Sequence, residues 1–175
     1  MPKVPFRIDA LTATFEGVQL PIGLVVKTLT LTGSGVEITA HPLNVSLTEP
    51  ARFEAAVDET SIVEFLTKKA PGGLKEFEVE LRDGAIHVRA VLKILVELRA
   101  AAVCRLVIKE GKQLVVELDS ADVLAVGAKS LIKGQIDQLN PIFEVDQLPL
   151  PAVLETVSVE DGLIRLTGTV SPPQE

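Results

Sequence analysis

The sequence predicts an α+β protein in which a long, strongly curved antiparallel β-sheet of hairpins wraps one or two amphipathic helices. Three observations predict it. Apolar residues alternate with period two over unusually long stretches, tight-turn residues fall where the parity of those positions requires a reversal, and only two segments carry helical spacing. Within 175 residues no low-complexity segment or linker interrupts this pattern. Residues 1–175 therefore read as one domain with a loose tail at 171–175, Ser-Pro-Pro-Gln-Glu.

The longest alternation runs from Ile86 to Ile108. Every even position there is apolar or small, including Val88, Ala90, Leu92, Ala100, Ala102, Cys104 and Leu106. Odd positions carry His87, Arg89, Lys93, Glu97, Arg99 and Arg105. The run contains neither Gly nor Pro, so it reads as one continuous strand reaching about 75 Å, or as a strand shortened by a bend near Ala100-Ala101-Ala102. A sheet that long must twist or curl.

Parity then fixes the turns, because facing residues in a hairpin share a face. A two-residue loop at Asp83-Gly84 pairs Leu81 with Ile86 and Val79 with Val88. The three-residue loop Glu110-Gly111-Lys112 keeps even parity on both arms, from Leu106 and Ile108 to Leu114 and Val116. Asp161-Gly162 pairs Val159 with Ile164 and Val157 with Leu166. Residues 20–40 also align without gaps to 148–168, with Leu20/Leu148, Pro21/Pro149, Val25/Val153, Thr28/Thr156 and Thr39/Thr167 identical. That likeness predicts a further hairpin at Gly33-Ser34 pairing Leu31 with Val36. Shorter strands are predicted at Phe6–Phe15, Leu43–Thr48 and Arg52–Val57, and Asp119-Ser120-Ala121-Asp122 marks a bulge or strand end.

The first helix is predicted from Asp58, a good N-cap, to Ala70, ahead of Pro71-Gly72-Gly73. It places Ile62, Phe65, Leu66 and the Lys69 stem on one face. The second runs from Gly127 to Asn140, before Pro141, with Ala128, Ile132, Gln135, Ile136 and Leu139 as its stripe.

Composition narrows the function. There are six Phe but no Trp or Tyr, and 24 acidic residues face 17 basic ones, giving a formal charge of −7. An acidic chain without basic runs or stacking aromatics is not built for nucleic acid, nor for long-lived docking on an anionic membrane. Two His and one Cys exclude an internal disulfide and a dedicated zinc site, so no metal and no cofactor is expected. His41, before Pro42, and His87, on a polar strand face, read as structural or solvated. Cys104 lies on the apolar parity and reads as a small core residue. Gly33-Ser34-Gly35 does not open a helix, no nucleotide-binding or nucleophile-elbow motif occurs, and Glu78/Glu80 lie on a solvated face. No enzyme activity is expected. The N-terminus, Met1-Pro2-Lys3-Val4-Pro5, lacks a basic-then-apolar leader, and no apolar stretch spans a bilayer as a helix.

Apolar surplus is the more telling feature. Phe6, Ile8 and Ala10 occupy one parity, while Leu11, Ala13 and Phe15 occupy the other. Val91 and Leu95 interrupt the polar side of the long alternation. Such second faces pack against a helix, a partner chain or an apolar ligand, or simply against the rest of the core.

Two segments resemble a known family. Pro50-Ala51-Arg52-Phe53-Glu54-Ala55-Ala56-Val57-Asp58-Glu59, running into Ile62-Val63-Glu64-Phe65-Leu66, resembles a strand-then-helix entry of the LmeA-like phospholipid-binding family. Leu148-Pro149-Leu150-Pro151, then Val157-Ser158-Val159-Glu160-Asp161-Gly162-Leu163, is similar to that family's C-terminal hairpin. The resemblance extends over roughly residues 6–170. It implies a fold like the tubular lipid-binding proteins, with an elongated apolar groove for phospholipid acyl chains, and work in the bacterial cell envelope behind an N-terminal leader. This chain shows no leader, which leaves a cytoplasmic location open.

The reading that follows is a non-catalytic protein holding phospholipid or other acyl chains between its helices and a curved sheet. Ile62, Phe65, Leu66, Ile132, Ile136, Leu139 and Phe143 are expected to line the groove, although a plain core would use the same residues. Lipid is the expected partner, with transient membrane contact and a homodimer both compatible and nucleic acid excluded. The alternative is an assembly protein that binds a protein partner through strand edges or an apolar sheet face, without ligand.

Overall fold

A computed structural model describes residues 6–40, 42–69, 73–93, 95–123 and 128–173. Among these described residues, thirteen strands and two helices follow in order: β1 (Phe6–Ile8), β2 (Leu11–Gln19), β3 (Val25–Gly33), β4 (Val36–Ala40), β5 (Leu43–Leu47), β6 (Ala51–Asp58), α1 (Glu59–Lys69), β7 (Leu74–Arg82), β8 (Ala85–Lys93), β9 (Glu97–Lys109), β10 (Gln113–Val123), α2 (Ala128–Leu139), β11 (Phe143–Glu144), β12 (Ala152–Glu160) and β13 (Leu163–Val170). A single 3₁₀ turn, Val145–Gln147, follows β11. The architecture is mostly antiparallel β with a strongly curled half-barrel sheet.

Two five-stranded sheets form the body, ordered β11-β10-β9-β8-β7 and β12-β13-β6-β3-β2, and a three-stranded sheet β1-β4-β5 stands beside them. The predicted registers hold at three turns. Leu81 faces Ile86 and Val79 faces Val88, Leu114 faces Ile108 and Val116 faces Leu106, and Val159 faces Ile164 and Val157 faces Leu166. Asp83 and Gly84 both adopt positive φ, as a type I′ turn needs. The bulge expected near Asp119 lies between Leu118 and Ser120.

Three expectations are corrected. The run from Ile86 to Ile108 is not one strand. It folds back after Lys93, so that Leu92 faces Leu98 and Lys93 faces Glu97. A three-residue turn preserves parity, and the alternation therefore continues through it unbroken. Leu31 and Val36 do not pair either. Leu31 faces Ala13 and Phe53, whereas Val36 faces Ile8 and Leu47 in the three-stranded sheet. At this crossing Gly35 has positive φ and lies against Thr48, whose N–H donates to the Gly35 carbonyl at 2.7 Å. The predicted strand Phe6–Phe15 is likewise broken at residues 9–10, where β1 and β2 join different sheets.

The sheets meet through two apolar clusters. Phe53, Leu114, Phe143, Val145 and Leu154 form one, and Ile62, Leu81, Ile86, Cys104 and Ile164 form the other. The free edge of β7 is covered at Leu81, whose N–H donates to Glu59 Oε1 (2.8 Å) and whose carbonyl accepts from Gly162 N–H (3.0 Å). The free edge of β10 is covered by β11 and by the side-chain amide of Asn140, which bonds the Val116 backbone. No helix among the described residues is long and apolar enough to cross a membrane.

Candidate functional site: an apolar pocket between helices and sheet

α1 begins where Asp58 accepts the Ser61 N–H at 2.9 Å, and Lys27 Nζ lies 3.2 Å from the other Asp58 oxygen. The Ser61 N–H, aided by Lys27 and opposed by partial burial, holds the Asp58 carboxyl below its usual range. From this start, spacing of i, i+3, i+4 and i+7 brings Ile62, Phe65, Leu66 and Lys69 to one face. The same spacing in α2 aligns Ile132, Gln135, Ile136 and Leu139.

These two faces and one face of the sheet β7–β10 enclose a pocket of about 190 Å³. Ile86, Val88 and Ala90 of β8 form its floor, with Ala100, Ala102, Cys104 and Leu106 of β9 and Leu114 and Val116 of β10. Leu74 and Phe77 stand at one side, and Val57 and Ile164 reach in from the other sheet. The hollow has a simple cause. Ala90 faces Ala100, Val88 faces Ala102 and Ile86 faces Cys104. Small side chains in consecutive cross-strand rows leave depth that Leu or Ile would fill.

Among the described lining residues, only Lys69, Gln135 and the Cys104 thiol carry polar atoms. Lys69, at the C-terminal end of α1, is itself exposed. Gln135 Oε1 is buried without a hydrogen-bond partner. It suits a ligand donor or, with the amide turned over, an ester carbonyl. Burial, with a smaller contribution from Asp119, pushes the Cys104 thiol up to about 11. It is therefore a protonated, unreactive thiol at neutral pH.

Six of the seven residues singled out from the sequence meet in this pocket: Ile62, Phe65, Leu66, Ile132, Ile136 and Leu139. Phe143 stands elsewhere. β11 pairs it with Leu114, and it packs beside Phe53 and Leu154 in the other apolar cluster. The floor residues were not singled out. Their even parity marked them as inward-facing, but their smallness was the only sign of a hollow. His87 lies on the opposite parity from the floor of β8, half-buried, with Nε2 unpartnered. His41 lies outside the described residues.

No curated protein and no solved structure is significantly similar to the chain. A family model described as LmeA-like phospholipid-binding matches residues 2–169, nearly the whole length. The chain therefore belongs to the LmeA-like phospholipid-binding family.

Proposed function

We propose that the protein holds an acyl chain of a phospholipid in the pocket between α1, α2 and the curved sheet, and catalyses no reaction. The pocket's almost wholly apolar lining carries this reading. Each methylene moved from water into such a lining contributes about 0.8 kcal/mol before the entropic cost of binding. The lining offers no carboxylate or imidazole among its described residues, and its one thiol is held protonated.

Size sets the mode. An apolar cavity of about 150 Å³ takes up a molecule the size of benzene. At about 190 Å³ this pocket encloses a segment of one chain, with the remainder leaving past the exposed Lys69. The α2 residues in the lining are all only half-buried, so a modest outward shift of α2 lengthens the groove.

Native mass spectrometry of the purified protein, paired with analysis of its organic extract, tests the reading. Stoichiometric lipid is expected. A clean apo mass that stays clean after incubation with phospholipid vesicles overturns it.

A second reading rests on the three-stranded sheet. Phe6 and Val45 flank Ile38 in one cross-strand row, and both are exposed, as is Leu43 on the same face of β5. This apolar face suits a protein partner or a second copy of the chain. Concentration-dependent mass in solution without extractable lipid would favour it.

A further inference from the structure

The turn between β8 and β9 breaks the usual chemistry of hairpin tips. Gly, Asn, Asp and Pro dominate such positions, yet the sequence here reads Ile94-Leu95-Val96. Leu95 is 97% exposed and Val96 64%. Two bulky aliphatic side chains are thus held in water at the end of a long ribbon.

The surroundings are basic on an otherwise acidic chain. The last turn of α1 contributes Lys68 and Lys69. β7 begins nearby, since Gly73 accepts the Lys93 N–H at 3.0 Å. Lys75 faces Val91, which in turn faces Arg99, so both cations stand in the third cross-strand row from the tip, two residues behind Lys93 and Glu97. Across 66–69, 73–76 and 91–99 there are five cations and two carboxylates, Glu76 and Glu97. Glu97 is 3.3 Å from Lys93. That is a local excess of three positive charges on a chain of net −7.

The tip also stands beside the Lys69 end of the pocket. Ala100, four residues beyond Val96, is in the pocket floor, and Lys69 and Leu74 are in its wall. We propose that the β8–β9 tip inserts Leu95 and Val96 into an anionic phospholipid bilayer. The surrounding lysines and Arg99 contact the headgroups, and the Lys69 end of the pocket faces the membrane. An apolar wedge inside a basic collar is the pattern of an interfacial anchor, and the lipid charge supplies the complement. The inference rests on the pocket as an acyl-chain site, because that is what gives the orientation a purpose. The average charge of the chain argued against such docking; its distribution reverses the argument.

Vesicle flotation tests the proposal with the full chain. Phosphatidylcholine vesicles, with and without phosphatidylglycerol, are the probes, and uptake of a monomeric short-chain phospholipid is measured in parallel. The wild type is expected to float with phosphatidylglycerol-containing vesicles and to be released by high salt. Leu95→Ser with Val96→Ser is expected to lower partition about tenfold or more while leaving short-chain uptake unchanged. Lys93→Gln with Arg99→Gln should lower it by roughly an order of magnitude on the anionic vesicles. Undiminished flotation of the folded Leu95/Val96 variant overturns the proposal, as does equal wild-type flotation on neutral vesicles. Failure of short-chain uptake with flotation intact would instead remove the pocket reading and leave the anchor standing.

Discussion

The side-chain amide of Asn140 serves Val116 as a neighbouring strand would: Oδ1 accepts the Val116 N–H at 2.8 Å and Nδ2 donates to the Val116 carbonyl at 2.7 Å. Asn140 directly follows α2, and Val116 is in the pocket floor. One residue thus closes an open strand edge and fixes the end of the helix that covers the pocket. Asn140→Ala is expected to cost about 2 kcal/mol, since both backbone groups lose a partner in a partly buried place. Urea unfolding reads this. Unchanged stability would show that water replaces the amide without loss.

The depth of the pocket comes from alanines, and filling it should separate stability from binding. Ala102→Leu adds three carbons to the floor opposite Val88. It is expected to raise stability by up to about 2 kcal/mol while lowering lipid retention. Ile136→Glu works from the helix side. Ile136 is half-buried, so the carboxylate can turn to water and the fold survives, but lipid retention is lost. A folded Ile136→Glu protein that still retains lipid in native mass spectra would sink the acyl-chain reading.

Much of this geometry was legible in the sequence where two local signals agreed. At Asp83-Gly84 and Asp161-Gly162, turn chemistry and a switch of parity point to the same reversal, and the observed registers follow. At residues 94–96 neither signal exists. Parity is preserved and no turn former is present, so two strands read as one. The Gly33-Ser34 hairpin does not form for another reason: its turn residues carry a crossing between sheets, where β3 pairs with β2 and β6 and β4 with β1 and β5, the β3–β6 and β4–β1 partners being distant in sequence. The helix faces of the pocket were legible from their spacing. The floor was not, because alternation marks a face as inward and says nothing of whether it meets a neighbour or a hollow.

Two glycines of similar appearance in the sequence should respond to alanine with opposite signs. A Cβ on Gly134, within α2, meets nothing within 4 Å. Gly134→Ala is expected to stabilise the protein by about 1 kcal/mol through helix propensity. On Gly168 of β13 a Cβ would strike the Val153 carbonyl oxygen and lie 2.5 Å from carbons of the Phe53 ring. Gly168→Ala should destabilise by about 1–3 kcal/mol. Thermal unfolding of both variants checks the pair, and a stabilised Gly168→Ala protein would contradict this packing.

Asp58 makes the start of α1 sensitive to acid. Its folded-state pKa is lowered, chiefly by the Ser61 N–H. Its contribution is therefore complete above the ordinary carboxylate range and is lost as pH falls through the lowered value. Asp58→Ala should cost about 1 kcal/mol at neutral pH. Asp58→Asn retains the cap and most of the stability, but loses this part of the acid dependence. Stability curves of wild type and Asp58→Asn that run parallel from neutral pH into the carboxylate range would refute the assignment.

Cys104 offers a reporter inside the pocket itself. With its thiol pushed up to about 11, only about one molecule in a thousand carries a thiolate at pH 8, and burial slows access further. Maleimide labelling of the folded protein should be far slower than that of the unfolded chain. Its rate should keep rising beyond pH 9, where an ordinary thiol levels off. Because the same sulfur lies in the pocket floor, bound phospholipid should slow labelling again, by the fraction of pockets occupied. Labelling that is slow in the folded protein yet indifferent to lipid would place the lipid elsewhere on the molecule. Protection that follows lipid concentration and disappears in Ile136→Glu would tie the chemistry of one thiol to the occupancy of the groove.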